Sequence, residues 1–202
     1  GPGWMEEKEG RHFVGKAGEL LRIVVKSLNI QDYYFTTTVM CRSCTQSFED
    51  DGTPKTRKLN GGRVVPELRD SPPSAAQIEA CLPRLHEEIY LVDPIVIVGV
   101  GAVAASVVAG HKVNLDQHGE PMTIEVPGRN LQPKLTAKKG LWGRKVNGVF
   151  SLPVQPNMVK YTMIPSMHPA YVLRKISDKS RESPMSNFIE DIRKAARIYE
   201  KH

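Results

Sequence analysis

Pro94-Ile95-Val96-Ile97-Val98-Gly99-Val100-Gly101 is an apolar run with nothing but Ile and Val between its proline and its first glycine. A short run of β-branched residues bounded by Pro and Gly reads as a strand buried on both faces, the kind that parallel sheets use. Gly99-Val100-Gly101 then turns the chain into a helix of small residues, Ala102 to Ala109. Upstream, Ser74 supplies an N-cap for a helix reaching about Val92, with Ile78, Leu82, Leu85 and Ile89 on one face. Further back, Tyr34 to Met40 is β-branched and aromatic and reads as a second strand. Glu19 to Asn29 carries Leu20, Leu21, Val24, Val25 and Leu28 at helical spacing. Downstream, Lys160 to Ile164 reads as a last strand, followed by a loop over Pro165–Arg174 and a closing amphipathic helix over Asn187–Tyr199. Strand–helix alternation of this kind points to an α/β layered fold around a parallel sheet. Ligands of such sheets lie beyond the carboxyl ends of the strands. The segments 1–18, 41–44, 99–101 and 165–174 are therefore expected to converge.

Two polar stretches interrupt this pattern. Residues 45–73 carry Gly, Pro and the basic cluster Lys55, Arg57 and Lys58, and read as a long loop or a small hairpin. Residues 111–150 are rich in Gly and Lys, with weak strand signals at Met122–Val126 and Gly148–Leu152. No internal repeat is visible. The length of 202 residues suits one domain, and the composition is that of a globular chain rather than a disordered one. No apolar run is long enough to span a membrane and no signal-peptide pattern opens the chain, so a soluble cytoplasmic protein is expected.

The formal charge of +6 suits a polyanionic partner, because Lys and Arg release counterions from phosphates; a merely solvated surface has the same signature. Three cysteines, Cys41, Cys44 and Cys81, do not make a closed disulfide set and fit a reducing compartment. Cys41-x-x-Cys44 alone reads as ordinary thiols more readily than as a metal site. Gly99-Val100-Gly101 is a fragment of a dinucleotide loop, but the third glycine is lacking at the expected spacing and no acid ends the strand near Met40–Arg42.

Five segments, in order, resemble the uracil-DNA glycosylase superfamily and most closely its iron–sulfur, family 4-like branch. They are Gly1-Pro2-Gly3; Gly10-Arg11-His12-Phe13-Val14-Gly15-Lys16-Ala17-Gly18-Glu19-Leu20-Leu21; Val39-Met40-Cys41-Arg42; Ile78-Glu79-Ala80-Cys81 with the strand from Pro94 to Gly101; and Ile164-Pro165-Ser166-Met167-His168-Pro169-Ala170-Tyr171-Val172-Leu173-Arg174. The resemblance covers most of the chain outside the insertions at about 45–73 and 111–150. It implies a single domain over residues 1–202, a three-layer sandwich around a central parallel four-stranded sheet, with the first core strand falling before Gly1. It implies a prokaryotic or phage-encoded intracellular enzyme, monomeric, that acts on DNA.

The activity so implied is removal of uracil by hydrolysis of its N-glycosidic bond. A base inside a duplex is out of reach, so it is extruded at a cost of about a few kcal/mol. Stacking on an aromatic face returns about 1–3 kcal/mol per base. By resemblance Phe13 is that platform, and Gly1, Pro2, Gly3 and Thr37 line the base's pocket. Bond cleavage leaves negative charge on the departing pyrimidine, which a donor at its carbonyl oxygen stabilises. His168 is the candidate donor, and Glu6 a candidate to orient the attacking water. Gly101, Ser166, Pro169, Ala170, Tyr171 and Arg174 are expected to meet DNA, the residues after His168 as a wedge in the minor groove. No lysine is placed for a Schiff base, so lyase activity is not expected.

Cys41 and Cys81 fall on two positions that in the family ligate a [4Fe–4S] cluster. The other two family ligands form a C-x-x-C ahead of the glycine motif, which here would precede Gly1. A cluster completed from upstream residues, a site without a cluster, and Cys44 as an unusual third ligand all stay open, the first being favoured. At Thr37 the family usually has Asn, whose amide reads the pyrimidine edge with a donor and an acceptor. A threonine there opens the substrate to other modified pyrimidines, or leaves a catalytically silent relative that only binds DNA.

Overall fold

The computed structural model describes residues 1–128, 157–175 and 183–202, together with the strands at 145–146 and 149–150. In chain order its elements are α1 (Trp4–Glu9), α2 (Lys16–Ser27), β1 (Cys44–Gln46), β2 (Thr56–Lys58), β3 (Val64–Pro66), β4 (Leu68–Asp70), α3 (Ala75–Val92), β5 (Val96–Val100), α4 (Ala102–Ala109), a 3-10 turn at Leu115–Gln117, β6 (Met122–Pro127), β7 (Lys145–Val146), β8 (Val149–Phe150), β9 (Met158–Ser166), α5 (Pro169–Arg174) and α6 (Pro184–Glu200). Among the described residues no helix is long and apolar enough to cross a membrane.

The apolar run beginning at Pro94 forms β5 and pairs in parallel with β9, from Val96 opposite Thr162 to Val100 opposite Ser166. Successive residues of β5 face opposite ways. Ile97 packs with Leu85 and Ile89 of α3, Ala105 and Val108 of α4, and Met163 of β9. Val98 packs instead with Leu21, Val24 and Val25 of α2, Val172 of α5, and Phe188 and Ile192 of α6. Helices therefore cover both faces of the sheet, and full burial of Met163, Phe188 and Leu85 is worth about 1.5–3 kcal/mol each. Ser74 caps α3 as read from the sequence: its Oγ accepts the Gln77 N–H while Gln77 Oε1 accepts the Ser74 N–H, a reciprocal cap worth about 1 kcal/mol.

Four expectations change. Among the described residues the central sheet runs in the order β5-β9-β6, parallel only between β5 and β9, with β6 antiparallel to β9, so the expected parallel four-stranded sheet is present only in part. Met122–Val126, read as a weak signal within an insertion, is thus an edge strand of the core, with Ile124 and Val126 buried. Tyr34–Met40 is not a strand. Its β-propensity is real, but a strand exists only by pairing, and the carbonyls of Thr37 and Thr38 are taken by the Arg84 guanidinium of α3. The Pro165–Arg174 loop contains a short helix, α5, started by Pro169 at its first position.

Of the two insertions, 45–73 is an arm of two antiparallel pairs, β1 with β4 and β2 with β3. Within 111–150, residues 129–144 and 147–148 lie outside the described residues. Of the weak strand read at Gly148–Leu152 only Val149–Phe150 falls inside them, paired with Lys145–Val146.

Candidate functional site

His168 follows the end of β9 and is the N-cap of α5. Its Nδ1 accepts the Ala170 N–H at 3.2 Å. A neutral imidazole that accepts through Nδ1 carries its proton on Nε2, so the ring presents a donor. The side chain is open to solvent on one side, yet enough protein surrounds the ring that burial, aided by the positive charge of Arg174, lowers its pKa from the ordinary 6.5. At neutral pH the donor is an uncharged imidazole. Behind it stands Gly101, with φ at +89°, where a Cβ would lie 3.2 Å from the His168 ring. Gly101 is buried and its N–H is donated to the Ser166 carbonyl, so it forms the back wall of the histidine.

Phe13 has φ of +56°, a left-handed conformation that bulky residues rarely adopt. Three features hold it there. Arg22 donates from Nε to the Phe13 carbonyl at 3.1 Å and from Nη2 to the His12 carbonyl at 3.1 Å. Gly18 brings α2 so close that a Cβ there would stand 2.1 Å from the Phe13 carbonyl carbon. The ring packs against Phe35 with centroids 5.1 Å apart, and Phe35 in turn against Tyr33 at 4.9 Å. Backbone strain persists only where surrounding structure over-determines it, and such places cluster at ligand clamps.

Glu6 joins the two glycine loops. One carboxylate oxygen accepts the Gly3 N–H at 3.1 Å, and the other accepts Val14 N–H at 3.1 Å and Gly15 N–H at 3.0 Å. Burial pushes the Glu6 pKa up, but these backbone donors, Gly15 foremost, outweigh it and leave the pKa lowered. Both oxygens are engaged with backbone, which is the work of a staple. Gly1 lies against the Val39–Cys41 backbone, where a Cβ would meet Val39 Cγ2 at 2.5 Å. The loops at 1–18 and 39–42 therefore meet, as do those at 99–101 and 165–174.

Thr37 is half-buried, and its hydroxyl donates to the Val39 carbonyl at 2.9 Å. Its own carbonyl accepts from Arg84, whose guanidinium also pairs with Glu88 at 2.7 Å and reaches Thr36 at 2.9 Å. The DNA-contact candidates divide. Tyr171 and Arg174 are exposed and Ala170 is half-buried. Pro169 and Ser166 are fully buried. Ser166 serves as an internal support: its Oγ donates to Asp191 at 2.9 Å, and Asp191, 2% exposed, also takes His118 Nδ1 at 2.9 Å.

Reading the sequence missed Asp191, His118 and Arg84. Asp191 had a signal, being an acid among the buried residues Phe188, Ile192 and Ala195 of α6. Arg84 had a weaker one in its i,i+4 spacing to Glu88.

A cavity of about 340 Å³ lies beside the glycine loop, lined by residues that include Pro2, Glu6, Arg11, His12, Cys41 and Arg42. It is lined by neither Phe13 nor His168. Another of about 300 Å³ between α3 and α4 is lined by apolar Ile78, Leu82 and Val107 and carries no chemistry connected with His168.

A [4Fe–4S] cluster takes four thiolates. Cys41 and Cys44 are exposed, Cys81 is half-buried, and among the described residues no three His, Cys, Asp or Glu side chains gather to hold a metal. The 202 residues hold three cysteines, fewer than the four thiolates of one cluster.

The family model of the uracil DNA glycosylase superfamily matches residues 1–193. The chain is 29% identical over 205 aligned residues to a type-4 uracil-DNA glycosylase of Thermotoga maritima, covering 100% of this chain and 75% of that protein. It is 26% identical over 176 residues to one of Pyrobaculum aerophilum, covering 86% of this chain and 65% of that protein. A third, of Sulfurisphaera tokodaii, is 33% identical over 103 residues, half of this chain and 36% of that protein. The chain thus spans three quarters of the first relative's length and just under two thirds of the second's. A match that runs through the glycine loops, β5 and the His168 segment leaves no doubt of descent: the chain belongs to the uracil-DNA glycosylase superfamily.

Proposed function

We propose that this chain is a monofunctional DNA glycosylase that extrudes uracil from DNA and hydrolyses its N-glycosidic bond. The observation that carries the reading is His168, a neutral imidazole whose Nδ1 is fixed by Ala170 N–H and whose Nε2–H is left to donate. As the C1′–N1 bond breaks, its electron pair moves onto the pyrimidine and the Nε2–H of His168 stabilises the charge at a carbonyl oxygen. Water adds its oxygen to C1′ and releases a proton. The neutral form suits this step, since an electrophilic donor need not give up its proton completely.

In the same reading Phe13 stacks on the extruded base, and Gly1, Pro2 and Gly3 let the backbone approach it. Tyr171 and Ala170 lead the wedge, with Pro169 buried as its pivot, and Arg174 meets phosphate. Glu6 is a positioning residue that holds the glycine loop to the Phe13 loop. The domain acts as a monomer inside the cell, as the resemblance implies. The names of the relatives support uracil as the substrate.

A second reading has its own observation. The Thr37 hydroxyl is spent as a donor on Val39, so it offers the base only an acceptor. That favours a wider range of modified pyrimidines, or a silent relative. Oligonucleotides carrying uracil, hypoxanthine, thymine opposite guanine, or a hydroxymethylated pyrimidine separate these readings, with alkali revealing abasic sites. Cleavage at uracil supports the first reading. Cleavage only at another base moves the substrate, and DNA binding without cleavage at any base overturns the enzyme.

A further inference from the structure

The arm at 44–70 takes no part in the site around His168 and Phe13. Its stem pairs Cys44 with Asp70, Thr45 with Arg69 and Gln46 with Leu68, and its tip pairs Thr56 with Pro66, Arg57 with Val65 and Lys58 with Val64. Stem and tip are fastened together: the Ser47 N–H donates to Glu67 O, the Lys55 N–H to Ser47 O, and Gln46 Nε2 to Lys55 O at 2.7 Å. The arm is thus a defined two-stranded ribbon and not a loose loop.

Its root lies at the rim of the candidate site. Arg42 donates from Nε to Asp70 at 2.6 Å and pairs with Glu7 of α1 at 3.5 Å. A Cβ on Gly3 would stand 3.6 Å from Asp70 Oδ2. Ser43 Oγ donates to Gln77 Oε1 at 3.2 Å, which ties the root to the first turn of α3.

Charge at the tip is of one sign. Between Gly52 and Pro66 the charged residues are Lys55, Arg57, Lys58 and Arg63, with no acid among them. Lys55 is paired with Glu49 at 3.2 Å. Arg57, Lys58 and Arg63 are exposed and, among the described residues, have no ion-pair partner. Adjacent residues of a strand face opposite sides, so Arg57 and Lys58 project from the two faces of the ribbon. A ribbon with a cation on each face fits a slot walled by anions on both sides. The major groove of duplex DNA is such a slot and admits a two-stranded β-ribbon, whereas the minor groove is too narrow.

We infer that the β2–β3 tip enters the major groove of the duplex beside the extruded nucleotide, with Arg57, Lys58 and Arg63 on its phosphates. The inference rests on the glycosylase reading for the identity of the DNA and extends it to duplex as the preferred form. Arm and wedge then grip the duplex from different grooves.

The test compares the full chain with its Arg57→Gln/Lys58→Gln/Arg63→Gln variant. Affinity for a uracil-containing duplex and for the same single strand is measured across a salt series. Each phosphate that the protein no longer neutralises lowers the magnitude of the log K against log salt slope by about 0.9. The variant's duplex slope is therefore expected to fall by about 2–3, with its single-strand slope unchanged. Excision from the single strand at the unmodified rate shows that the variant is folded. A duplex with uncharged methylphosphonates beside the uracil gives an independent reading: it weakens the unmodified protein more than the variant, which has already lost the arm's share of those contacts, and equal weakening of the two overturns the arm's role. An unchanged duplex slope, or equal losses on single strand and duplex, overturns the arm's role while leaving excision to stand. Arm-dependent duplex binding by a protein that excises nothing supports the arm and overturns the enzyme, and failure of the unmodified protein to bind duplex overturns both.

Discussion

A histidine that accepts a backbone N–H through Nδ1 loses that bond when it is protonated, because the nitrogen lone pair is consumed. His168 therefore links three things at one residue: the cap of α5, the donor at Nε2, and a lowered pKa. The sign of the pH effect follows. Above the ordinary value of 6.5 the folded and unfolded chains both hold His168 neutral, and it contributes nothing to the pH dependence of stability. Below 6.5 the unfolded chain binds the proton first, so stability falls with pH until the lowered folded value is reached. His86, also lowered by burial, acts in the same direction. Melting temperature followed from about pH 8 downward should decline below about 6.5, and less steeply in His168→Asn, which keeps a capping acceptor and does not titrate. Two further predictions belong to single residues. Gly18→Ala puts a methyl into the Phe13 carbonyl, and is expected to raise KM sharply by displacing the platform. Thr37→Asn supplies both a donor and an acceptor, and is expected to narrow the range of excised bases toward uracil, measured as the ratio of kcat/KM values across the base panel.

Glu6 matters at the scale of elements, since it connects the start of α1 to the turn that carries Phe13. Removing it in Glu6→Ala orphans three N–H groups that are partly buried, at about 1 kcal/mol or more in total. The expected result is a lower melting temperature and a raised KM, with kcat less affected, and Glu6→Gln recovering part of both. Its lowered pKa means that the staple's stabilisation is fully present above the ordinary carboxylate value of 4.5 and is lost as pH falls through the lower folded value.

The elements that were legible in the sequence are those whose signals are local. The Ser74 cap with Gln77, the Ile and Val run of β5, and the apolar stripes of α2 and α6 each announced themselves. Tyr34–Met40 misled, and β6, read as a weak strand at Met122–Val126, did not disclose its place in the core sheet, because strand formation depends on which partner is beside it. Arg84 fills the carbonyls of the first, and β9 pairs with the second. In the candidate site, motif positions drew attention to His168, Phe13 and the glycine loops. What the motifs did not disclose was the support beneath them: Arg84 under Thr37, Asp191 under Ser166, and the engagement of both Glu6 oxygens by backbone. For Arg84 and Asp191 that support comes from residues far away along the chain, which no local pattern records.

Across the whole molecule, the β5-β9-β6 sheet with helices on both faces places residues 99–101 and 165–174 beyond the carboxyl ends of its parallel pair, in a chain of net charge +6. That balance, with exposed Arg174 and Lys175 beyond the His168 helix, makes DNA affinity depend on counterion release. KM for a uracil-containing strand is therefore expected to rise steeply with salt while kcat changes little, since the chemical step at His168 involves no phosphate. The most direct test of the central claim is single-turnover excision of uracil by the unmodified chain and by His168→Ala, with DNA affinity measured in parallel. The account predicts a rate lower by about 10²–10³-fold in the variant at nearly unchanged affinity, the loss of one preorganised donor. An equal rate in the two proteins would contradict it.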